Sequence, residues 1–393
     1  MNGLHKALIF CFLAIIFSVP LSQAVFDWRS PDEDKPVALT LFDHAPTERH
    51  LREYEDRLEK ASFYQQQLRP VFQLYRYLAL REMGDKAVRG LDGWTFYRPG
   101  LDYLVQPYWR KHTAQLGDNQ VLLSQRSVQQ GDPVATIADF AAQLKKRGVE
   151  LLVVPMPGKA SIYPDKLVEG LKPAIALTGH TRRLARELRQ KGVMVFEMQR
   201  AFVEARSKKN CPQLYMRSDT HWTGHGVKLG AEKLAAWVKA RPWFSSLKKM
   251  PRYTRKEVQV ERRGDIPRMT RVPQLEKLFP ADKVTAFRVF HKESGEPYEE
   301  PEEFKDAPIL LLGDSFARVF ETDAPEAAGV VSNLAYELQQ PLLSIVNDGG
   351  ASTLVRQELS REIAMLAGKK LVIWLFVERD VRFGLKGWKK FQL

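Results

Sequence analysis

Two short stretches of this sequence carry residue types suited to nucleophilic chemistry. In Leu310-Leu311-Leu312-Gly313-Asp314-Ser315-Phe316 an apolar strand ends in Gly-Asp-Ser, and a helix is predicted to follow. Ligands of open parallel sheets bind at the carboxyl ends of strands. A serine on a turn there is exposed, and the following helix N-terminus offers N–H groups to an oxyanion. Serine needs a base to act as a nucleophile. The second stretch, Ser218-Asp219-Thr220-His221-Trp222-Thr223-Gly224-His225, supplies one. A carboxylate two residues before a histidine can bond one ring nitrogen, fix the tautomer and leave the other nitrogen to take the serine proton. Asp219, His221 and Ser315 therefore form a candidate triad. Each stretch has a plainer reading, in which Asp314 or Ser315, and Ser218 to Thr220, merely cap the helices that follow. A metal reading also exists, with Asp219, His221 and His225 as ligands. It lacks a fourth ligand and a nearby acidic base, so neither a metal nor a cofactor is expected.

These residues need a scaffold, and the apolar pattern predicts one. Val134, Ile137, Phe140, Ala141 and Leu144 make a helical stripe ended by Gly148. The run 150–155 follows as a strand. Residues 174–190 read as helix, 193–196 as strand, 226–239 as helix, 308–312 as strand, 352–367 as helix and 371–376 as strand. Apolar strands alternating with helices predict an α/β fold, a parallel sheet flanked by helices. Ahead of it, 47–83 reads as helical and interrupted near Pro70, and Gly90 to Tyr97 as a turn into a strand. The stretch 243–305, rich in Lys, Arg, Glu and Pro, reads as an excursion on the surface.

Taken together, Gly313-Asp314-Ser315 and Asp219-Thr220-His221-Trp222 resemble an SGNH hydrolase-like domain with the Asp-x-His placed before the serine, a circularly permuted motif order. Further signatures are Gly90-x-Asp92-Gly93-Trp94-x-Phe96 and Val154-Pro155-Met156-Pro157-x-Lys159-Ala160-x-Ile162-Tyr163-Pro164. Gly264-Asp265-Ile266 and Trp374-Leu375-Phe376-Val377-Glu378-Arg379 complete the set. It resembles the AlgJ/AlgX family of polysaccharide O-acetyltransferases across most of the chain. The single apolar N-terminal segment, and the lack of room for a carbohydrate-binding domain after the last strand, look more like AlgJ. The resemblance implies a serine acyl-enzyme that passes acetyl to a hydroxyl of an exported polysaccharide, polyuronate in alginate systems. It also implies a membrane-bound O-acyltransferase as the acetyl supplier. An acetyl esterase of the same fold and a non-catalytic polysaccharide-binding scaffold are the alternatives.

Around the triad, Trp222, Tyr163, Lys159, Arg217 and Arg379 are candidates for the acceptor groove. For Trp222 the expectation is a ring exposed at the cleft against a sugar face. The basic residues Arg262, Arg263, Arg268, Arg271 and Lys277 are a candidate polymer contact or a solvated face. The Ser315 N–H is the first oxyanion candidate. Gly349 and Gly350 offer a second N–H or a simple turn. SGNH enzymes usually add an Asn side chain, which makes Asn347 and Asn333 the possible donors.

Charge and compartment bound the partners. The chain has 393 residues, with Lys and Arg numbering 60 against 47 Asp and Glu, a net charge of +13. That balance favours an anionic partner. The two cysteines are Cys11 and Cys211, and Cys11 lies in the apolar segment, which excludes a disulfide scaffold and a Cys-rich zinc site. Ala7 to Phe26 is uncharged. It reads either as a signal peptide with Ser22-Gln23-Ala24 at the cleavage site or as a signal anchor. Both place the rest of the chain in the periplasm, held at the inner membrane in the second case. An exported protein does not meet nucleic acid, so the charge points to an acidic polysaccharide or a lipid surface. The expected organisation is a signal segment over 1–26, a linker and helical segment over 27–84 and an SGNH-like acetyltransferase domain over 85–393.

Overall fold

The structure, a computed structural model, describes residues 3–29, 37–45, 47–108, 131–171, 179–247, 252–384 and 387–393. Pro31, Pro36 and Pro46 of the expected linker lie outside the described residues, as do the first residues of the helix expected over 174–190. The chain divides into two compact units, one of Met1–Gly84 with Arg271–Leu278, the other of Asp85–Thr270 with Phe279–Leu393.

The first unit is helical. Helix α1, Gly3–Trp28, is long and apolar enough to cross a membrane. After a short 3-10 turn, Val37–Phe42, come α2, Glu48–Ala61, and α3, Phe63–Leu80. The Thr47 hydroxyl accepts from the His50 N–H, 3.2 Å, and caps α2. The break expected near Pro70 falls instead at Ser62, whose ψ of 118° leaves the helical region. Pro70 lies inside α3. It forfeits one backbone bond, and the helix runs on through it.

The second unit opens on a hairpin of β1, Ala87–Arg89, and β2, Thr95–Tyr97. Asp92 and Gly93 turn it with positive φ of 52° and 78°, as tight hairpins demand. The core is a five-stranded sheet of β3, Glu150–Met156; β4, Met194–Val195; β7, Ile309–Gly313; β8, Leu342–Val346; and β9, Leu371–Val377. Its order is β4-β3-β9-β7-β8, parallel throughout. Alternate residues feed two apolar layers. Ile309, Leu311, Leu371, Ile373 and Leu375 enter one, while Leu310, Leu312, Val372, Trp374 and Phe376 enter the other. Both faces are covered, which is why these strands read as unbroken apolar runs. The flanking helices are α4, Pro133–Lys146; α5, Gly179–Gln190; α6, Met198–Arg206; α7, Gly224–Lys239; α8, Ser315–Arg318; α9, Val330–Leu338; and α10, Leu354–Arg361.

Two features depart from expectation. Strand β8 was not anticipated by the apolar pattern, which is broken at Ser344. The supposed excursion over 243–305 contains an antiparallel ribbon of β5, Tyr253–Arg262, and β6, Asp282–His291, paired along ten residues each. The face of β5 that carries Glu257, Gln259 and Glu261 is exposed, so the strand lacks an apolar run. Its ladder comes from pairing with β6.

Candidate active site

The carboxyl end of β7 turns directly into α8, and Ser315 is the first residue of that helix. Asp314 caps the turn. Its Oδ1 accepts from the Phe316 N–H at 2.9 Å and its Oδ2 from the Val377 N–H at 2.8 Å, so the serine is tied to the end of β9 as well as of β7. His221 Nε2 lies 2.8 Å from Ser315 Oγ, and His221 Nδ1 lies 2.6 Å from Asp219 Oδ1. With Nδ1–H donated to Asp219, Nε2 is free to accept from the serine hydroxyl. The His221 N–H also donates to Asp219 Oδ1, 2.9 Å, which locks the Asp-x-His turn. Asp219 Oδ2 accepts from Arg262 Nε at 3.2 Å. Burial alone would raise the Asp219 carboxyl, but the charges of His221 and Arg262 and the His221 bonds hold it well below the usual carboxylate range. Burial alone would depress His221, and the Asp219 charge and hydrogen bond, joined by Asp265, raise it above the ordinary histidine value. The arrangement can deprotonate a serine and stabilise the imidazolium that results.

The loop that carries Asp219 and His221 is held by residues distant in sequence. The buried Lys159 ammonium donates to three backbone carbonyls, Met216 at 3.0 Å, Arg217 at 2.9 Å and Asp219 at 2.6 Å. Burial lowers its pKa to about 8, and Asp219, Asp265 and Asp282 act against that fall. The Thr95 N–H of β2 donates to Arg217 O, 3.0 Å. The Asp265 carboxylate accepts from the Thr220 N–H at 2.7 Å and hydroxyl at 2.6 Å. Gly264 sits so close that a Cβ there would come 2.0 Å from Ser218 O. The buried Glu378 carboxylate at the end of β9 accepts from the Gly158 N–H, 2.8 Å, and from the Ser161 hydroxyl. The motifs around residues 90–97, 154–164, 264–266 and 374–379 thus converge on the Asp219–His221 and Ser315 turns, as struts.

Several expected groove residues are elsewhere. Trp222 is fully buried. It stacks on Phe202 and donates Nε1–H to Phe316 O, 3.1 Å, so it supports the Ser315 turn from below. Trp222 bridges Tyr215 in an isolated antiparallel pair, while His221, just before it, faces Ser315. Tyr163 is buried too, stacked on Trp94 and accepting from the Leu214 N–H at 2.8 Å. Lys159 holds the loop and has no surface for a sugar. Arg217 remains about half exposed and pairs with Asp282 at 3.2 Å. Arg379 lies over the Tyr97 ring.

Among the oxyanion candidates, the Gly350 N–H is spent on Asn347 O, 2.9 Å, and Gly349 is an exposed turn residue at φ +67°. The Asn347 N–H donates to Gly313 O, 3.1 Å, which lays this turn beside the end of β7. Asn333 donates to Phe287 O and Gly329 O and accepts from Arg255, so its amide is occupied. The Ser315 N–H, at the first helical position, is a donor that a helix start leaves without an intrahelical acceptor.

The alternative metal reading changes its third member. Asp265 joins Asp219 and His221, with ligand atoms within 4.8 Å of one another. His225 instead sets its ring edge-on to Phe287. The carboxylate oxygens of the trio are engaged by Arg262, His221 and Thr220, and a guanidinium already supplies the cation. Beside it opens a cavity of about 390 Å³ lined by Arg262, Arg263, Arg268 and Arg318 with Glu261 and Asp323. Arg262 bridges Asp219 and Asp323, and Arg318 pairs with Asp323 and Asp348.

Comparison with known proteins adds the family. A family model described as the SGNH hydrolase-like domain of acetyltransferase AlgX matches residues 88–378. The chain belongs to that family. It is 23% identical over 249 residues to the probable alginate O-acetylase AlgJ of Pseudomonas fluorescens, covering 62% of this chain and 60% of that one. It is 24% identical over 254 residues to the Azotobacter vinelandii protein of the same name, covering 63% and 62%. The chain thus spans about three fifths of the length of these curated relatives. The solved O-acetyltransferase domain of Pseudomonas putida AlgJ shares the fold, with a TM-score of 0.55 at 20% identity over 75% of this chain and 92% of that domain. Pseudomonas aeruginosa AlgX matches with a TM-score of 0.50 at 18% identity over 74% of this chain and 62% of that one. The expected AlgJ/AlgX membership and SGNH-like α/β fold are both met.

Proposed function

We propose that this protein is an exported O-acetyltransferase that carries acetyl on Ser315 and delivers it to hydroxyls of an acidic exopolysaccharide such as alginate. The observation that supports this most is the continuous Asp219–His221–Ser315 relay at the carboxyl end of the sheet. In the first half-reaction His221 Nε2 takes the Ser315 proton as Oγ attacks the acetyl carbonyl. Collapse of the tetrahedral intermediate expels the donor's oxygen, which receives that proton from His221. In the second half, an acceptor hydroxyl gives its proton to His221 and attacks the acetyl-serine. A sugar ester forms, and Ser315 Oγ recovers the proton. In this reading the Ser315 N–H at the start of α8 donates to the oxyanion in both halves.

The acidic acceptor is supported by the arginine-lined cavity beside the relay, since guanidinium groups suit carboxylates. Export is supported by α1, which reads as an anchor in the inner membrane with the catalytic unit in the periplasm. A membrane-bound O-acyltransferase is the acetyl supplier this reading calls for, by family resemblance. The test is incubation with an activated acetyl ester and oligouronates, followed by mass spectrometry of the sugar. Acetylated oligouronate should form with the wild type and be absent with Ser315→Ala. Release of free acetate alone, at every acceptor concentration, would leave an esterase.

A further inference from the structure

We propose that α3 is a membrane-surface helix, which lays an apolar stripe into an anionic bilayer beside the anchor. Leu68, Val71, Phe72, Tyr75 and Leu78 recur at helical spacing and make one face. That face is bare: Val71 and Phe72 are each 63% exposed and Tyr75 67%, whereas Gln73 and Tyr77 on the opposite face are 9% and 7% exposed. Arg69 and Arg76 fall together at one border of the stripe. No acidic residue occurs from Phe63 to Arg81. Arg76 pairs with Glu82 just past the helix end, 2.8 Å.

The composition says what covers this face. A helix–helix seam is narrow, and its flanks carry charges of both signs that pair with the partner. A broad stripe with aromatic residues, bordered by arginines and free of acids, is the pattern of a helix lying in a headgroup layer. Anionic lipid attracts each such cation. The unit also keeps α3 near the bilayer, because α3 packs against the anchor α1 and against α2. Asp27, at the end of α1, accepts from the Val37 N–H at 2.9 Å, which pins the 3-10 turn to the anchor. His50 and Tyr54 of α2 bond the Leu41 and Ala38 carbonyls of the same turn. Trp28 and Phe42 are 86% and 79% exposed, and such aromatics favour the membrane–water boundary. By contrast α2 interleaves Glu48, Glu53, Glu55, Asp56 and Glu59 with Arg49, Arg52, Arg57 and Lys60, which leaves it no net attraction to an anionic surface.

The inference rests on reading α1 as an anchor, and the test separates the two. The full chain is placed in nanodiscs of phosphatidylcholine alone or mixed equally with phosphatidylglycerol, with some of the lipid brominated. An environment-sensitive label is attached at Phe72→Cys, Tyr75→Cys or Glu55→Cys in a Cys11→Ser, Cys211→Ser background. The native Cys11, in a Cys211→Ser chain, reports on α1. Labels at 72 and 75 should be quenched by brominated lipid and shielded from aqueous iodide, several-fold more in the anionic discs. The label at 55 should behave oppositely. Adding Arg69→Gln and Arg76→Gln should cut the lipid quenching at 72. Iodide-accessible labels at 72 and 75, with Cys11 quenched by lipid, would overturn the inference and leave the anchor standing. Labels at 72 and 75 shielded from both quenchers would also overturn it, by showing protein on the stripe. Lipid quenching at 72 without quenching at Cys11 would uphold the surface helix and remove the anchor.

Discussion

Lys159→Met removes the cation that clamps the Asp219 loop while nearly preserving side-chain volume. Three carbonyls, of Met216, Arg217 and Asp219, lose their donor together. Each bond to a charged group is worth about 1.5–3 kcal/mol. Relief of the buried charge offsets part of that, and removing one partner from such a network typically costs about 3–5 kcal/mol. For a unit of this size that is a fall of roughly 10 °C in melting temperature. At a temperature where the variant is folded, kcat/KM for p-nitrophenyl acetate should drop by up to about 100-fold, the cost of an ångström of misplacement. The pH dependence adds a second signature. Burial lowers the Lys159 pKa to about 8, below its unfolded value of about 10.4. The unfolded chain therefore binds more protons between those limits, and this group's contribution to stability rises with pH there. Activity should move the other way, because the neutral amine loses its charge and one donor. Wild type should lose activity above about pH 8 without a matching fall in melting temperature from this group, and Lys159→Met should lack that limb. A folded Lys159→Met with unchanged ester turnover and a raised KM for oligouronate would refute the clamp and return Lys159 to the acceptor groove.

Further outcomes follow from the same contacts. Asp265 raises the His221 pKa and Arg262 lowers it; Asp265→Asn should shift the acid limb of kcat/KM to lower pH and Arg262→Gln to higher pH, read from ester hydrolysis. Gly264→Ala drives a Cβ against Ser218 O and should cost roughly 1–3 kcal/mol as overpacking, with loss of activity, by thermal melt and ester assay. Arg263→Ala with Arg268→Ala should weaken oligouronate binding and its salt dependence, since exposed charge pairing is screened within about 10 Å at 0.1 M salt. Turnover of a small neutral ester should not change.

The readable parts of the sequence were those fixed by local pattern. Strands β3, β7 and β9 are apolar on both faces, so their runs announced a covered parallel sheet. The Asp-x-His spacing and the strand-to-helix turn at Ser315 are each contained within a few residues. What escaped depends on distant partners. Arg262 looked like a surface charge until Asp219, 43 residues away, gave it a carboxylate. Lys159 looked like a groove cation because its acceptors lie up to 60 residues further along. Trp222 sits next to the histidine in sequence, yet its partners Phe202, Tyr215 and Phe316 lie in the core. The apolar run of β8 is broken by Ser344, whose N–H and hydroxyl are taken by Glu300. The polar face of β5 hid its partnership with β6.

The central claim is that Ser315 carries the acetyl group. Brief incubation with an activated acetyl ester, acid quench and peptide mass spectrometry measures it directly. One acetyl should appear on the peptide containing Ser315, be lost in Ser315→Ala, and decline when oligouronate is added as acetylated sugar accumulates. Acetyl found reproducibly on another residue, or full sugar acetylation by Ser315→Ala, would contradict the account.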